Sequence, residues 1–232
     1  MKLGIIAPVG LLQKYSTLSQ FHICYPEILF MSTEYLDFYK KRSKLGDIVI
    51  LDFTVKVPRR ATPASLLNKA IELLNPTYIV MPCVDFSLEK TVISTLEYAK
   101  DCYLPRIGCL QGTNITELAS CYKSISGESE FIGLPTSCEK IMPRYRLVDT
   151  LNIVQPCILL EVYKSFRNEV VRDERILGIG TALPIRLSRD LRKLSEDYPE
   201  PPELDFYSDK DPFPDLTFKN IDNAFDICEG IL

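Results

Sequence analysis

Short apolar runs recur along this chain, and longer segments with helical spacing separate them. The clearest runs are "IVIL" at 48–51 and "YIVM" at 78–81. A strand with one wet face alternates apolar and polar residues, whereas a run that is apolar at every position must be covered on both faces. That pattern belongs to parallel strands packed under helices, and it constrains the fold more than any other feature here. Runs of this kind predict strands at Leu3–Ala7, Asp47–Asp52, Tyr78–Pro82, Arg106–Gln111, Glu130–Leu134, Cys157–Val162 and Arg175–Gly178, with a weaker one at Glu203–Phe206.

The intervening segments predict helices. Thr62-Pro63 reads as an N-cap followed by proline in the first turn, opening "ASLLNKAIELL". There Leu66, Leu67, Ala70, Ile71 and Leu74 repeat at helical spacing and form one apolar stripe. Ser87–Ala99, Asn114–Ile125, Arg144–Ile153 and Pro184–Leu194 follow the same rule. Eight strand–helix units predict an α/β fold, a TIM-like (β/α)8 barrel, and 232 residues suit one such domain spanning 1–232. The alternative, an open doubly wound sheet, more often places a glycine-rich phosphate turn after its first strand, and "APVGLL" is not one. A proline- and acid-rich loop occupies 195–215.

Composition narrows the function. No run approaches the roughly 18 apolar residues of a membrane span, and "MKLGIIAPVG" is too short for a signal-peptide core. The expectation is a cytoplasmic protein with no membrane partner, in the host cytoplasm if the source is viral. The eight cysteines never form a Cys-x-x-Cys pair and His22 is the only histidine, so no structural metal is expected. No cofactor is expected either. A net charge of −4 gives no global basic footprint for nucleic acid. Local basic groups occur at Lys56, Arg59 and Arg60, and again at Arg144 and Arg146, where a solvated charged face is an equal reading.

Chemistry in such barrels gathers at the C-terminal strand ends. Read in order, those ends carry Asp52, then Cys83 and Asp85, then Gln111-Gly112. Gly133-Leu134, Glu161, Gly178 with Gly180, and Asp205 follow. Asp52 ends the run "GDIVILD" just before the basic segment "FTVKVPRR".

"GDIVILD", "VMPCVD", "CLQGT", "FIGLP" and "LGIGT", in this order, resemble the tRNA-guanine transglycosylase superfamily. They are most similar to its compact phage-type members, which exchange guanine in DNA for a 7-deazaguanine. "APVG", "STLSQFH" and "EYLDFYKKRSKLGD" add to the likeness, which covers most of residues 1–185. It implies a glycosyltransferase working through a covalent aspartyl–sugar intermediate. Asp52 would be the general acid/base and Asp205 the nucleophile, with Asp209, Asp211 and Asp215 open as alternatives. Cys83, Asp85, Gln111, Gly112, Gly133 and Leu134 would bind the base, and Lys56, Arg59 and Arg60 the backbone of a nucleic acid with a flipped-out nucleotide. The implied partners are DNA, with tRNA as the lesser alternative, and a free 7-deazaguanine base. Monomer and homodimer both stay open.

Three residues depart from the family pattern. Phe53-Thr54 stands where the family turns on small residues, and Cys83 stands where it has a base-reading aspartate. A thiol cannot pair with the guanine N1–H and N2–H donors as a carboxylate does. The zinc-binding cysteine cluster and histidine of the tRNA enzymes are also missing. Two other readings therefore stand beside the first. One is a non-catalytic or altered-specificity relative binding nucleic acid or a nucleobase-like ligand. The other is an unrelated small-molecule barrel enzyme, such as a lyase, using Glu161 and a strand-end aspartate.

Overall fold

In the computed structural model, residues 1–15, 18–30, 32–52, 64–161, 173–181 and 214–229 are described, together with Pro184 and Leu187. Eight strands carry the apolar runs: β1 (Lys2–Ile5), β2 (Phe21–Cys24), β3 (Ile48–Asp52), β4 (Tyr78–Val80), β5 (Arg106–Cys109), β6 (Phe131–Pro135), β7 (Cys157–Leu160) and β8 (Ile176–Thr181). All neighbours pair in parallel, in the order β1-β8-β7-β6-β5-β4-β3-β2. The sheet curls into a nearly closed (β/α)8-type barrel with β1 and β2 as its two meeting edges. The expected fold class is thus the observed one.

One strand differs from expectation. β2 lies in "FHIC", a run too short and too polar at His22 to stand out in the sequence. Its presence makes Asp52 the end of the third strand, not the second. The expected strand at Glu203–Phe206 lies outside the described residues, among which the sheet has eight strands.

Register sets which side chains fill the interior. Pairing of Phe21 with Ile48 and of Ile23 with Ile50 puts these four on one face, and the alternation carries Asp52 to the same face. Toward Phe21 and Ile23, β1 and β8 present the glycines Gly4, Gly178 and Gly180. A Cβ on Gly178 would stand 2.7 Å from Phe21 Cζ, and one on Gly4 would stand 3.0 Å from its ring. The Phe21 ring occupies the volume that these glycines leave. Tyr78 and Phe131 meet edge to face at 4.7 Å on the other side of the barrel.

The outer helices present apolar stripes to the sheet. These are α1 (Val9–Tyr15), a single turn α2 (Pro26–Leu29), α3 (Thr33–Lys44), α4 (Ala64–Leu74), α5 (Leu88–Ala99), α6 (Ile115–Ile125), α7 (Arg144–Thr150) and α8 (Pro214–Glu229). In α4 the stripe is Leu67, Ala70, Ile71 and Leu74, all buried. The start of α6 is fixed locally: Asn114 Oδ1 accepts from Glu117 N–H at 3.0 Å, and Glu117 Oε2 accepts from Thr113 N–H at 2.8 Å. No described helix is long and apolar enough to cross a membrane.

Helix α3 closes the seam between β1 and β2. The Ser19 hydroxyl donates to Leu3 O and accepts from Phe21 N–H at 3.0 Å, tying the two strands. Tyr35 Oη donates to Ala7 O at 3.1 Å and Tyr39 Oη to Ile23 O at 3.2 Å. Below them, His22 and Asp47 meet at 3.0 Å, and Arg42 Nε reaches the same Asp47 Oδ2 at 2.5 Å. The only histidine is therefore part of the wall under α3 and plays no part at the barrel mouth.

Two outcomes follow for stability. Gly178→Ala drives a methyl group into the Phe21 ring, and overpacking of this kind costs about 1–3 kcal/mol. The urea midpoint should fall, and adding Phe21→Leu should recover part of the loss. Burial, only partly offset by the hydrogen bond to Asp47, lowers the His22 pKa from its ordinary 6.5. The unfolded chain then takes up the proton first, so stability is full above 6.5 and falls as pH drops below it. Urea midpoints at pH 7.5 and 5.5 should show this drop, and His22→Asn should make it shallower.

Candidate functional site

The C-terminal strand ends bring several expected residues together. Asp52, Cys83 and Gln111 are buried at the ends of β3, β4 and β5, and Asp85 follows on the exposed β4–α5 loop. Asp52 is 1% exposed and lies close enough to Cys109 and Cys24 for its charge to help raise both thiol pKa values. For Cys109 the first cause is a hydrogen bond with Cys83, followed by burial; for Cys24 it is burial. Burial also pushes Cys138 up to about 12 and Cys121 up to about 11. These thiols stay protonated at neutral pH and do not serve as nucleophiles.

Gln111 is the hub of the mouth. Its Nε2 donates to Asp85 Oδ1 at 3.0 Å and lies 3.7 Å from Cys83 Sγ and 3.9 Å from Cys109 Sγ. Its Oε1 accepts from Phe86 N–H at 3.1 Å and from Ser137 Oγ at 3.0 Å. A fully buried amide thus holds the loop after β4 to the 3-10 turn after β6 (Thr136–Lys140). Its hydrogen-bonding capacity is spent inside the protein.

Arg144 organises the neighbouring strand ends. Its side chain is fully buried. Nη1 donates to Leu134 O at 2.8 Å, to Glu161 O at 2.8 Å and, more weakly, to Leu160 O at 3.2 Å. Nη2 pairs with Glu139 Oε1 at 2.7 Å. The reading of Arg144 as part of a solvated or nucleic-acid-binding patch is therefore corrected: the guanidinium is an internal clamp on β6 and β7. Gly112 lets its turn pack on α6, because a Cβ there would lie 2.8 Å from Glu117 Cβ. Gly133 faces Leu160, which a Cβ would approach to 2.7 Å, and the Leu134 side chain is fully buried.

Strained backbone marks the same end of the barrel. Phe86 has φ +58° and Glu161 has φ +61°, in the left-handed region that bulky residues avoid. Asn75 and Asn152, the other described non-glycine residues with positive φ, follow the ends of helices, where asparagine tolerates that conformation. Phe86 nonetheless stays exposed, close in the chain to exposed Val84, with Lys140 Nζ 4.6 Å from the ring centroid. Phe86, Ser137 and Lys140 carry no sequence signal. Nothing in "VDFS" marks a left-handed phenylalanine, and Lys140 reads as an ordinary surface lysine. Asp205, with Asp209, Asp211, Lys56, Arg59, Arg60 and Phe53, lies outside the described residues; the remaining alternative, Asp215, sits in the first turn of α8.

No family model matches the chain. No curated protein matches it. Among solved structures it is similar to a racemase from Streptomyces coelicolor A3(2) with bound magnesium, at 10% identity and TM-score 0.50, covering 77% of this chain and 55% of that one. It is also similar to a mandelate racemase/muconate lactonizing enzyme from a marine actinobacterium, at 9% identity and TM-score 0.56, covering 89% and 60%. At these identities the likeness establishes the barrel fold alone, and the chain spans less than two thirds of either protein's length.

These findings overturn the resemblance to the transglycosylases. The similar structures are racemase-type barrels, and no family model joins the chain to base exchange. Guanine exchange in DNA, glycosyl transfer, the 7-deazaguanine and phage associations, and the nucleobase-binding alternative fall with it.

The magnesium of one similar structure does not carry over to the described residues. Magnesium demands hard oxygen ligands in near-octahedral array. Here β3, β4 and β5 end on a carboxylate, a thiol and an amide whose oxygen already accepts two hydrogen bonds. Among the described residues no three His, Cys, Asp or Glu side chains group as a metal site.

Removal of the Arg144 clamp has a defined expectation. Arg144→Met leaves Glu139 and three strand-end carbonyls without their cation, and breaking a buried pair costs about 3–5 kcal/mol. Urea denaturation should show that loss.

Proposed function

We propose that this chain is a small-molecule enzyme that moves a proton to or from carbon, as isomerases and lyases do, at the C-terminal mouth of the barrel. Asp52 is the proton-transferring group. The observation that carries this reading is a buried carboxylate at a strand end, in a mouth whose two flanking loops hold strained residues, Phe86 and Glu161. Backbone strain of this kind costs about 1–3 kcal/mol per residue and concentrates at functional sites. Barrel enzymes place their chemistry at this face. The racemase and lactonizing names of the similar structures agree with chemistry at carbon.

A buried carboxylate is well placed for such work, because a proton acceptor is most effective where water is kept out. Gln111 fixes the loop beside it, and Arg144 fixes the strand ends across from it. Glu161, 8% exposed at the end of β7, is a further carboxylate of the mouth and the candidate partner acid.

Solvent exchange tests the proposal whatever the product of the reaction is. The protein is incubated in D2O with a panel of hydroxy acids, keto acids and ketones bearing an acidic C–H. Loss of that signal is followed by proton NMR. At least one compound should exchange, and Asp52→Asn should slow the exchange by about a hundredfold or more, the usual share of general acid–base catalysis. No exchange across the panel, or exchange at the wild-type rate in the variant, would sink the assignment.

A further inference from the structure

We infer that the mouth selects a small carboxylate carrying an apolar or aromatic group, held by Lys140 and Phe86. This rests on the mouth being the active site, as proposed above. The β4–α5 loop is built to present one ring. Thr91 Oγ1 bonds both the N–H and the O of Val84, at 2.9 and 3.1 Å, which secures the loop's start. Gln111 takes the Phe86 N–H and holds Asp85, which secures its middle. These buried anchors force a left-handed backbone on Phe86, where asparagine or glycine would fit at lower cost. Phe86 gains little burial in return, since the residue stays 39% exposed, level with Val84 at 39%. Packing alone therefore does not account for a phenylalanine at this position.

The ring has a cation as its companion. Lys140 closes the 3-10 turn after β6, and its Nζ stands 4.6 Å from the Phe86 centroid. Ser137 of the same turn bonds Gln111, so ring and ammonium are referenced to one buried amide. Lys140 makes no ion pair among the described residues. A cation beside an apolar wall matches an anionic head group with an apolar body. The ammonium sits over the ring, and a carboxylate can accept from those of its N–H groups that point away from the ring. The amide of Gln111 is spent inside the protein, which leaves Lys140 and Phe86 as the pair offered to an anionic ligand at this side of the mouth.

The test is equilibrium binding of benzoate, with benzyl alcohol as its neutral counterpart, followed by calorimetry or ligand-observed NMR. Benzoate should bind more tightly than benzyl alcohol, equally in EDTA and in magnesium. Lys140→Gln should weaken benzoate about tenfold, the size of one charge-assisted hydrogen bond, and leave benzyl alcohol unchanged. Lys140→Arg should restore the preference. Phe86→Asn suits the left-handed backbone, so its melting temperature should hold while both probes weaken. The inference is overturned by equal binding of the two probes, by wild-type benzoate affinity in Lys140→Gln, or by binding that requires magnesium. A fall in melting temperature in Phe86→Asn with unchanged binding would reassign the ring to packing. Benzoate binding needs no turnover, so Lys140-dependent binding in a protein that exchanges no C–H proton removes the proton-transfer reading alone.

Discussion

The barrel depends on how its one unpaired seam is satisfied. Strands β1 and β2 meet without a ladder, and unpaired edge groups are costly when water is excluded. Helix α3 and the residue before β2 supply the missing partners. Ser19 links Leu3 to Phe21, while Tyr35 and Tyr39 reach Ala7 O and Ile23 O. On the inner side the same seam is filled by Phe21 against Gly4 and Gly178. Both faces of the seam thus rest on β2 and α3, the elements least visible in the sequence.

At the mouth, two buried polar side chains share the work of positioning. Gln111 joins the loops after β4 and β6, and Arg144 joins the ends of β6 and β7. Each is fully buried, and each bonds to the backbone of another element. A buried polar network is costly unless its members are satisfied and rigid when they are. That rigidity is what a mouth requires if Asp52, Phe86 and Lys140 are to keep fixed relative positions.

Much of the fold was legible because parallel strands announce themselves. The apolar runs at β3, β4, β5, β6 and β7 and the cap at Asn114 appear where residue type alone places them, and α5 starts after Ser87 without a bond from its hydroxyl. β2 was not legible, because four residues that include a histidine make no run. The same logic explains why the family resemblance misled. The glycines of "FIGLP" and "LGIGT" admit Leu160, Phe21 and Ile23 into a crowded interior. The glutamine of "CLQGT" ties loops together. Such motifs record what a barrel of this kind needs to close, and they carry little about the reaction it hosts. The strained Phe86 was invisible for a different reason: a phenylalanine in the left-handed region leaves no mark in residue type, and one of the groups that holds it, Gln111, is remote in sequence.

The Arg144 clamp also bears on how the mouth moves. Its guanidinium binds the carbonyls of Leu134 and Glu161 together, so neither strand end can lift without breaking bonds to the other. Local opening in proteins proceeds in cooperative units. The ends of β6 and β7, already paired through their ladder, are tied a second time by this side chain. A ligand that holds one strand end is therefore expected to steady the other, through the ladder and the guanidinium together.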